Sequence, residues 1–273
     1  MAEAEPLKRK RRRNPFLRRR DRRRKETTMS VVGHLVELRS RLVKSVVAFV
    51  LISIGVFILY GPISEFLREP LCRNRELLGP QGCDLAFFKP AAAFQFRLKL
   101  TALVGIGLSS PIWLYQLYSF VVPGLTEKER KYSLPFLFSA VILFGVGALM
   151  AYLTLPTGLR ILFSLGGESL NPVIGAEEYL DFVGFLLLGF GVMFELPLVL
   201  VFLGLAGVIT PAQLRRQRRI AILVIFVLAA VVTPSQDPYT MSALAIPLYA
   251  LYELTILVVA FLTRRRRAAE QSE

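Results

Sequence analysis

The sequence predicts an all-α membrane protein: a bundle of six kinked transmembrane helices with both termini in the cytoplasm. Three observations carry that prediction. Of 273 residues 54% are apolar while the formal charge is +14, and the two properties occupy different stretches of the chain. Apolar runs of about 14 to 28 residues recur six times, at 42–60, 94–121, 134–155, 179–205, 220–233 and 239–262, each bounded by charge, Pro or Gly. With six spans, 26 Lys and Arg fall in the N-terminal stretch, the 122–133 and 206–219 loops and the C-terminal tail, against 5 in the loops 61–93, 156–178 and 234–238. An ordinary soluble domain is excluded. The expected organisation is a basic cytosolic tail at 1–29, disordered in character, a membrane domain at 30–262 and a short cytosolic tail at 263–273.

The N-terminal run KRKRRRNPFLRRRDRRRK admits three readings. Basic runs bind nucleic acid. A signal peptide with paired arginines would need a shorter apolar run and a small-residue cleavage site, and neither follows. The reading adopted is a tail drawn to anionic lipid, gaining about 1 kcal/mol per base near the surface. No nucleic-acid partner is expected.

Immediately before the first span stands GHLVELRSRL, residues 33–42. His34, Glu37 and Arg41 fall at i, i+3 and i+7, on one polar helical face, while Leu35, Leu38 and Leu42 repeat the spacing on the apolar side. A carboxylate is thereby held at the membrane lip beside cations. That position suits docking a positively charged guest better than it suits catalysis.

In the first outward loop lie Cys72 and Cys83, the only two cysteines. On an oxidising side they can pair, and closing so short a loop would stabilise it by about 3 kcal/mol in the chain-entropy model. The alternative is two idle thiols. After the second span, Pro123-Gly124 is a turn, and Thr126 to Glu129 has the form of a capping box opening the next helix. Glu129 can therefore be a cap, a docking carboxylate near Glu37, or both. Thr210-Pro211-Ala212-Gln213 repeats the capping device with Pro at the first helical position. The fifth span that follows has only about 14 apolar residues, roughly 21 Å against a hydrocarbon core near 30 Å. Asp237 caps the sixth span, followed by Pro238. Prolines 111, 135, 197 and 247, within or at the ends of spans, favour kinked helices and a concave wall.

Glu195 and Glu253 sit within the fourth and sixth apolar runs. A charge at mid-bilayer costs on the order of 2.5–3.5 kcal/mol on insertion scales, so such acids are functional candidates. The structural alternative is a protonated acid hydrogen-bonded to a neighbouring helix. Two function classes follow: a receptor offering Glu195 to a partner helix, or a proton-coupled solute transporter using Glu195 and Glu253. An enzyme is not expected. There is no Ser/His/Asp or Cys/His constellation, the sole His34 excludes a histidine-based metal site, and no phosphate-cradling loop or cofactor motif occurs. No internal repeat of the kind common in transporters is evident.

Four segments together resemble the TatC family, the large multispanning subunit of the twin-arginine protein translocase. They are GHLVELRSRL, SPIWLYQLYSFVVPGLTEKERK, FGVMFELP and VVTPSQDPYTMSALAIPLYALYE, in the family's order over nearly all of residues 30–262. The resemblance implies a glove-like bundle in the cell membrane that moves folded proteins carrying twin-arginine signal peptides, driven by the proton-motive force. Its partners would be TatA- and TatB-type single-span subunits in an oligomeric complex. It also implies that Glu37 and Glu129 meet the arginine pair, that His34, Arg39, Phe120 and Arg130 belong to the signal-binding region, and that Glu195 contacts a partner's span. Pro123 fits the same loop motif and Asp237 matches the outward acid opening the sixth span. Guanidinium forks pair bidentately with carboxylates, so two acids can read two arginines. Two departures stand out. Pro90-Ala91-Ala92-Ala93-Phe94 lacks the acid of the family's Pro-x-Glu-x-Phe, and Thr233-Pro234-Ser235-Gln236-Asp237 is one residue longer than the usual turn and lacks its second Pro.

Overall fold

The computed structural model describes residues 31–74, 76, 78, 82–121, 133–165, 173–233 and 237–270. Within them the chain runs α1 (Val31–Ile58), α2 (Tyr60–Cys72), α3 (Ala92–Leu108), α4 (Ser110–Val121), α5 (Ser133–Leu165), α6 (Ala176–Leu205), α7 (Pro211–Arg216), α8 (Arg218–Val232) and α9 (Pro238–Glu270). Among the described residues the one β-type pairing is an isolated parallel bridge between Ala86 and Gly175. Four stretches are long and apolar enough to cross a membrane: Gly33–Ile58, Pro135–Leu165, Ala176–Leu205 and Pro238–Arg264. A fifth is the bent pair α3–α4. α8, with 15 residues, is the short element on which a sixth crossing depends.

The bend between α3 and α4 is 53°. Pro111 has no N–H to offer the carbonyl of Gly107, and the helical ladder stops. The neighbouring carbonyl of Ile106 accepts instead from Ser109 Oγ at 3.1 Å and from Trp113 Nε1 at 3.1 Å. The Trp113 ring then meets Phe144 of α5 edge-on at 5.7 Å. Pro156 acts differently: the third run was expected to end at 155, yet α5 continues through Pro156 to Leu165. In lipid a lost ladder bond is tolerated, and the Pro156 carbonyl itself accepts from Asn74 Nδ2 at 2.8 Å, which ties the end of α2 to this part of α5.

α5 and α6 form the most extensive helix pair. Small residues let their backbones approach: an added Cβ at Gly147 would lie 2.6 Å from the Phe190 carbonyl, and one at Gly191 2.8 Å from the Phe144 ring. Ala151, Leu155, Val183, Leu186 and Phe190 are fully buried at this seam, and Leu244, Leu248 and Ile256 of α9 complete the core. α1 is peripheral. It packs on α3 and α4 and leaves Leu42, Val46, Val50, Ile54 and Ile58 exposed, as a helix facing lipid does.

Contacts between distant residues define two ends of the bundle. At one, Tyr118 stacks on Phe136 at 5.5 Å and Phe136 meets Phe202 at 5.9 Å, joining α4, α5 and α6. At the other, α2 forms a cap that the hydropathy pattern does not reveal. Tyr179 Oη donates to the Leu67 carbonyl at 2.7 Å and Tyr152 Oη to that of Phe66 at 2.9 Å. Cys72 and Cys83 are joined by a disulfide with Cα atoms 4.9 Å apart. The segment beyond it is tied to the start of α6 by Ala86 N–H to the Ile174 carbonyl and Ala176 N–H to the Ala86 carbonyl, each 2.9 Å.

Candidate functional site

α1 begins well before its apolar part, so GHLVELRSRL is helical and continuous with the span. His34 stacks on Phe120 with ring centroids 4.2 Å apart and planes 21° from parallel. This brings the first turns of α1 against the last turn of α4. Three residues on, Glu37 accepts from Arg41 Nε at 3.0 Å, and the same oxygen, Oε1, pairs with the Arg41 Nη2. Its second oxygen, Oε2, is buried and has no hydrogen-bond partner among the described residues. The two side chains are each 21% exposed, so the pair lies near the surface while Oε2 itself is covered. A carboxylate with one satisfied and one unsatisfied oxygen can take up a further donor without giving up Arg41, once the groups covering that oxygen move aside. Arg39 is exposed on the same helix. Pro123, Glu129 and Arg130 lie outside the described residues.

Glu195 sits in α6, two residues before Pro197. It is half-buried, and its Oε1 is enclosed without a hydrogen-bond partner among the described residues. One and two turns back, Val192 and Leu188 line a groove of about 700 Å³ between α3 and α6, with Leu103, Ile106 and Phe185. At the far end of the groove Lys99 Nζ holds both carboxylate oxygens of Asp181, at 3.0 and 2.8 Å. The groove is apolar along its length and polar at that end.

Glu253 has a different environment. Arg218 Nη2 reaches its Oε2 at 2.7 Å and Tyr249 Oη its Oε1 at 2.9 Å, so both oxygens are engaged. Its role here is to tie α9 to the first turn of α8. The sequence carried part of this signal in the i, i+4 spacing of Tyr249 and Glu253; the partner Arg218 is 35 residues away and could not be read. Asp237, buried at the start of α9, accepts from Thr240 N–H at 2.8 Å and also pairs with the Thr240 hydroxyl, which is the geometry of a helix cap. Arg97 has a structural role that its sequence position does not reveal. Its guanidinium lies 4.0 Å over the Phe57 ring and donates to the Phe57 carbonyl at 3.0 Å, locking the end of α1 to α3.

A family model described as TatC, Sec-independent protein translocase protein, matches residues 33–247. The chain is 42% identical over 250 residues to a Sec-independent protein translocase protein TatC of Frankia casuarinae, a match covering 89% of this chain and 68% of that one. It is 35% identical over 247 residues to the protein of the same name from Aquifex aeolicus, covering 89% of this chain and all of the other. Among solved structures it is similar to the crystal structure of a twin arginine translocase receptor, TatC, with a TM-score of 0.70 and 36% identity over 82% of this chain and 98% of that one. Matched along nearly the whole described region in sequence and in backbone, the chain belongs to the TatC family: multi-pass membrane subunits of a protein translocase, with a transport role and not an enzymatic one.

Proposed function

We propose that this chain is the signal-peptide receptor of a twin-arginine translocase. It resides in the cell membrane with both termini cytoplasmic and works with TatA- and TatB-type single-span subunits in an oligomeric complex driven by the proton-motive force. The observation that carries the reading is the buried Oε2 of Glu37, which lacks a hydrogen-bond partner among the described residues beside a partly exposed ion pair. The His34–Phe120 stack supports it, because Phe120 stands nine residues before Glu129 in the connection that begins beside α1. In this mechanism one arginine of the leader pairs with Glu37 and the other with Glu129. Arg39 and Arg130 help to shape the site, and the leader's apolar segment follows the groove between α3 and α6. Glu195 then offers its unpartnered oxygen to a polar group on a partner helix.

The test is photo-cross-linking of a twin-arginine signal peptide to the detergent-solubilised chain. A charge-assisted hydrogen bond contributes about 1.5–3 kcal/mol, so Glu37→Gln should weaken capture roughly tenfold or more. The Glu37→Ala, Glu129→Ala double variant should abolish labelling. Undiminished labelling of the double variant rejects the receptor reading. The solute-transporter alternative is not retained: the family is that of a protein translocase, and Glu253, one of its two required acids, is held by Arg218 and Tyr249.

A further inference from the structure

The α7–α8 break carries three arginines within about one helical turn, Arg215, Arg216 and Arg219, all exposed. None of them meets a carboxylate among the described residues, whereas the fourth, Arg218, is paired with Glu253. Arg219 stands i+3 from Arg216 and i+4 from Arg215, where like charges repel by about 0.2–0.5 kcal/mol per pair, so a counter-charge is favoured there. The backbone beneath it is nonetheless firmly built. The Thr210 capping box closes with Gln213 at both hydrogen bonds, the buried Leu214 gives its carbonyl to Tyr252 Oη at 2.8 Å, and Arg218 is fixed to α9. The three arginines are thus carried on an anchored backbone that keeps their Cα positions close together.

What lies along α8 below them identifies the complement. Only Ile225, Ala229 and Val232 of this helix are buried. From Arg219 a stripe at i+4 steps runs through Leu223 (64% exposed), Val227 (54%) and Val231 (66%), and Ile220 (60%) lies beside it. A cationic head above a continuous apolar track matches a molecule with an anionic head and a hydrocarbon tail. α8 spans only about 22 Å at 1.5 Å per residue, so a headgroup seated on these arginines sits closer to the bilayer centre than in unperturbed membrane. We infer that Arg215, Arg216 and Arg219 form a binding site for the phosphate of an anionic phospholipid whose acyl chain runs down the exposed face of α8. The inference requires only that the chain is embedded in a membrane and is independent of the role of Glu37.

Native mass spectrometry of the full chain, titrated with phosphatidylglycerol, tests the site. The expected result is retained lipid in the unmodified chain and a loss of affinity on the order of a hundredfold in Arg215→Gln, Arg216→Gln, Arg219→Gln. The corresponding Lys triple variant should keep most of the binding. Should the Gln triple variant fail to elute as a folded species, Arg219→Gln alone should weaken binding roughly fivefold. Lys89→Gln with Arg160→Gln removes exposed charge at the capped end of the bundle, away from both α8 and the basic tail, and should change binding less than about twofold. Equal loss in that control, or no loss in the Gln variants, overturns the site. Displacement of the lipid by inorganic phosphate at equal concentration overturns the assignment to lipid.

Discussion

Two glycines on one helix, two residues apart, should respond to the same substitution with opposite sign. Gly147 in α5 faces α6, where a new Cβ would lie 2.6 Å from the Phe190 carbonyl oxygen, 3.0 Å from its carbon and 3.0 Å from the Phe194 ring. Ordinary contact begins near 3.4 Å, so Gly147→Ala demands a separation of roughly 0.8 Å, and the obstacle is the backbone of a fully buried turn. Over-packing of this kind costs about 1–3 kcal/mol. Gly145 has nothing within 4 Å of its added Cβ. There Gly145→Ala brings only the helix preference of alanine, up to about 1 kcal/mol. The helix preference is common to both, so the two variants should differ by the clash alone, roughly 1–3 kcal/mol. Thermal unfolding of both in one detergent measures this, with Gly147→Ala melting lowest, the unmodified chain between them and Gly145→Ala highest. Adding Phe190→Leu to Gly147→Ala should not rescue it, because the clash is with the main chain. A Gly147→Ala protein as stable as Gly145→Ala would refute the α5–α6 seam described here.

Three further outcomes are expected. Cys72→Ser, Cys83→Ser should destabilise the cap by about 3 kcal/mol, reproduced in the unmodified chain by a reductant and read by thermal unfolding with and without it. Tyr179→Phe removes a buried hydrogen bond to the Leu67 carbonyl and should cost about 1 kcal/mol, with faster amide exchange confined to α2. Glu69, in the cap, is held below the usual carboxylate range by its hydrogen bond from Arg73 and then by that residue's charge. A depressed carboxylate stabilises above its unfolded pKa, near 4.5, and loses the contribution as pH falls through the folded value. Exchange in the last turn of α2 should therefore rise on acidification below about pH 4.5, and Glu69→Gln should remove that dependence.

Hydropathy located the apolar core of each long helix because lipid demands it, but it said little about where each helix begins. α1 starts at Val31 and not at 42, since an amphipathic turn is helical without being apolar. The second run reads as continuous from 94 to 121, while the structure breaks it at Ser109, where Pro111 and two serines interrupt the ladder. α2 was invisible because its charged, proline-containing sequence gains its order from Tyr152, Tyr179 and the disulfide, all of them distant partners. At the candidate site, the spacing of His34, Glu37 and Arg41 was legible from helical geometry. The facing of His34 to Phe120 was not, because residues 86 apart meet only through the packing of α1 on α4. Glu195 and Glu253 look alike in sequence, two acids in apolar runs, and only the position of Arg218 separates them.

Pro70 leaves the carbonyl of Phe66 without a donor from its own helix, and the hydroxyl that answers it belongs to a residue 86 positions later. During synthesis that oxygen has only water as a donor until α5 has emerged and crossed to the same side. The early part of the chain therefore leaves the ribosome incomplete, and only the arrival of a later helix closes its account with water. A truncated product ending before Tyr152 would leave this carbonyl to water alone.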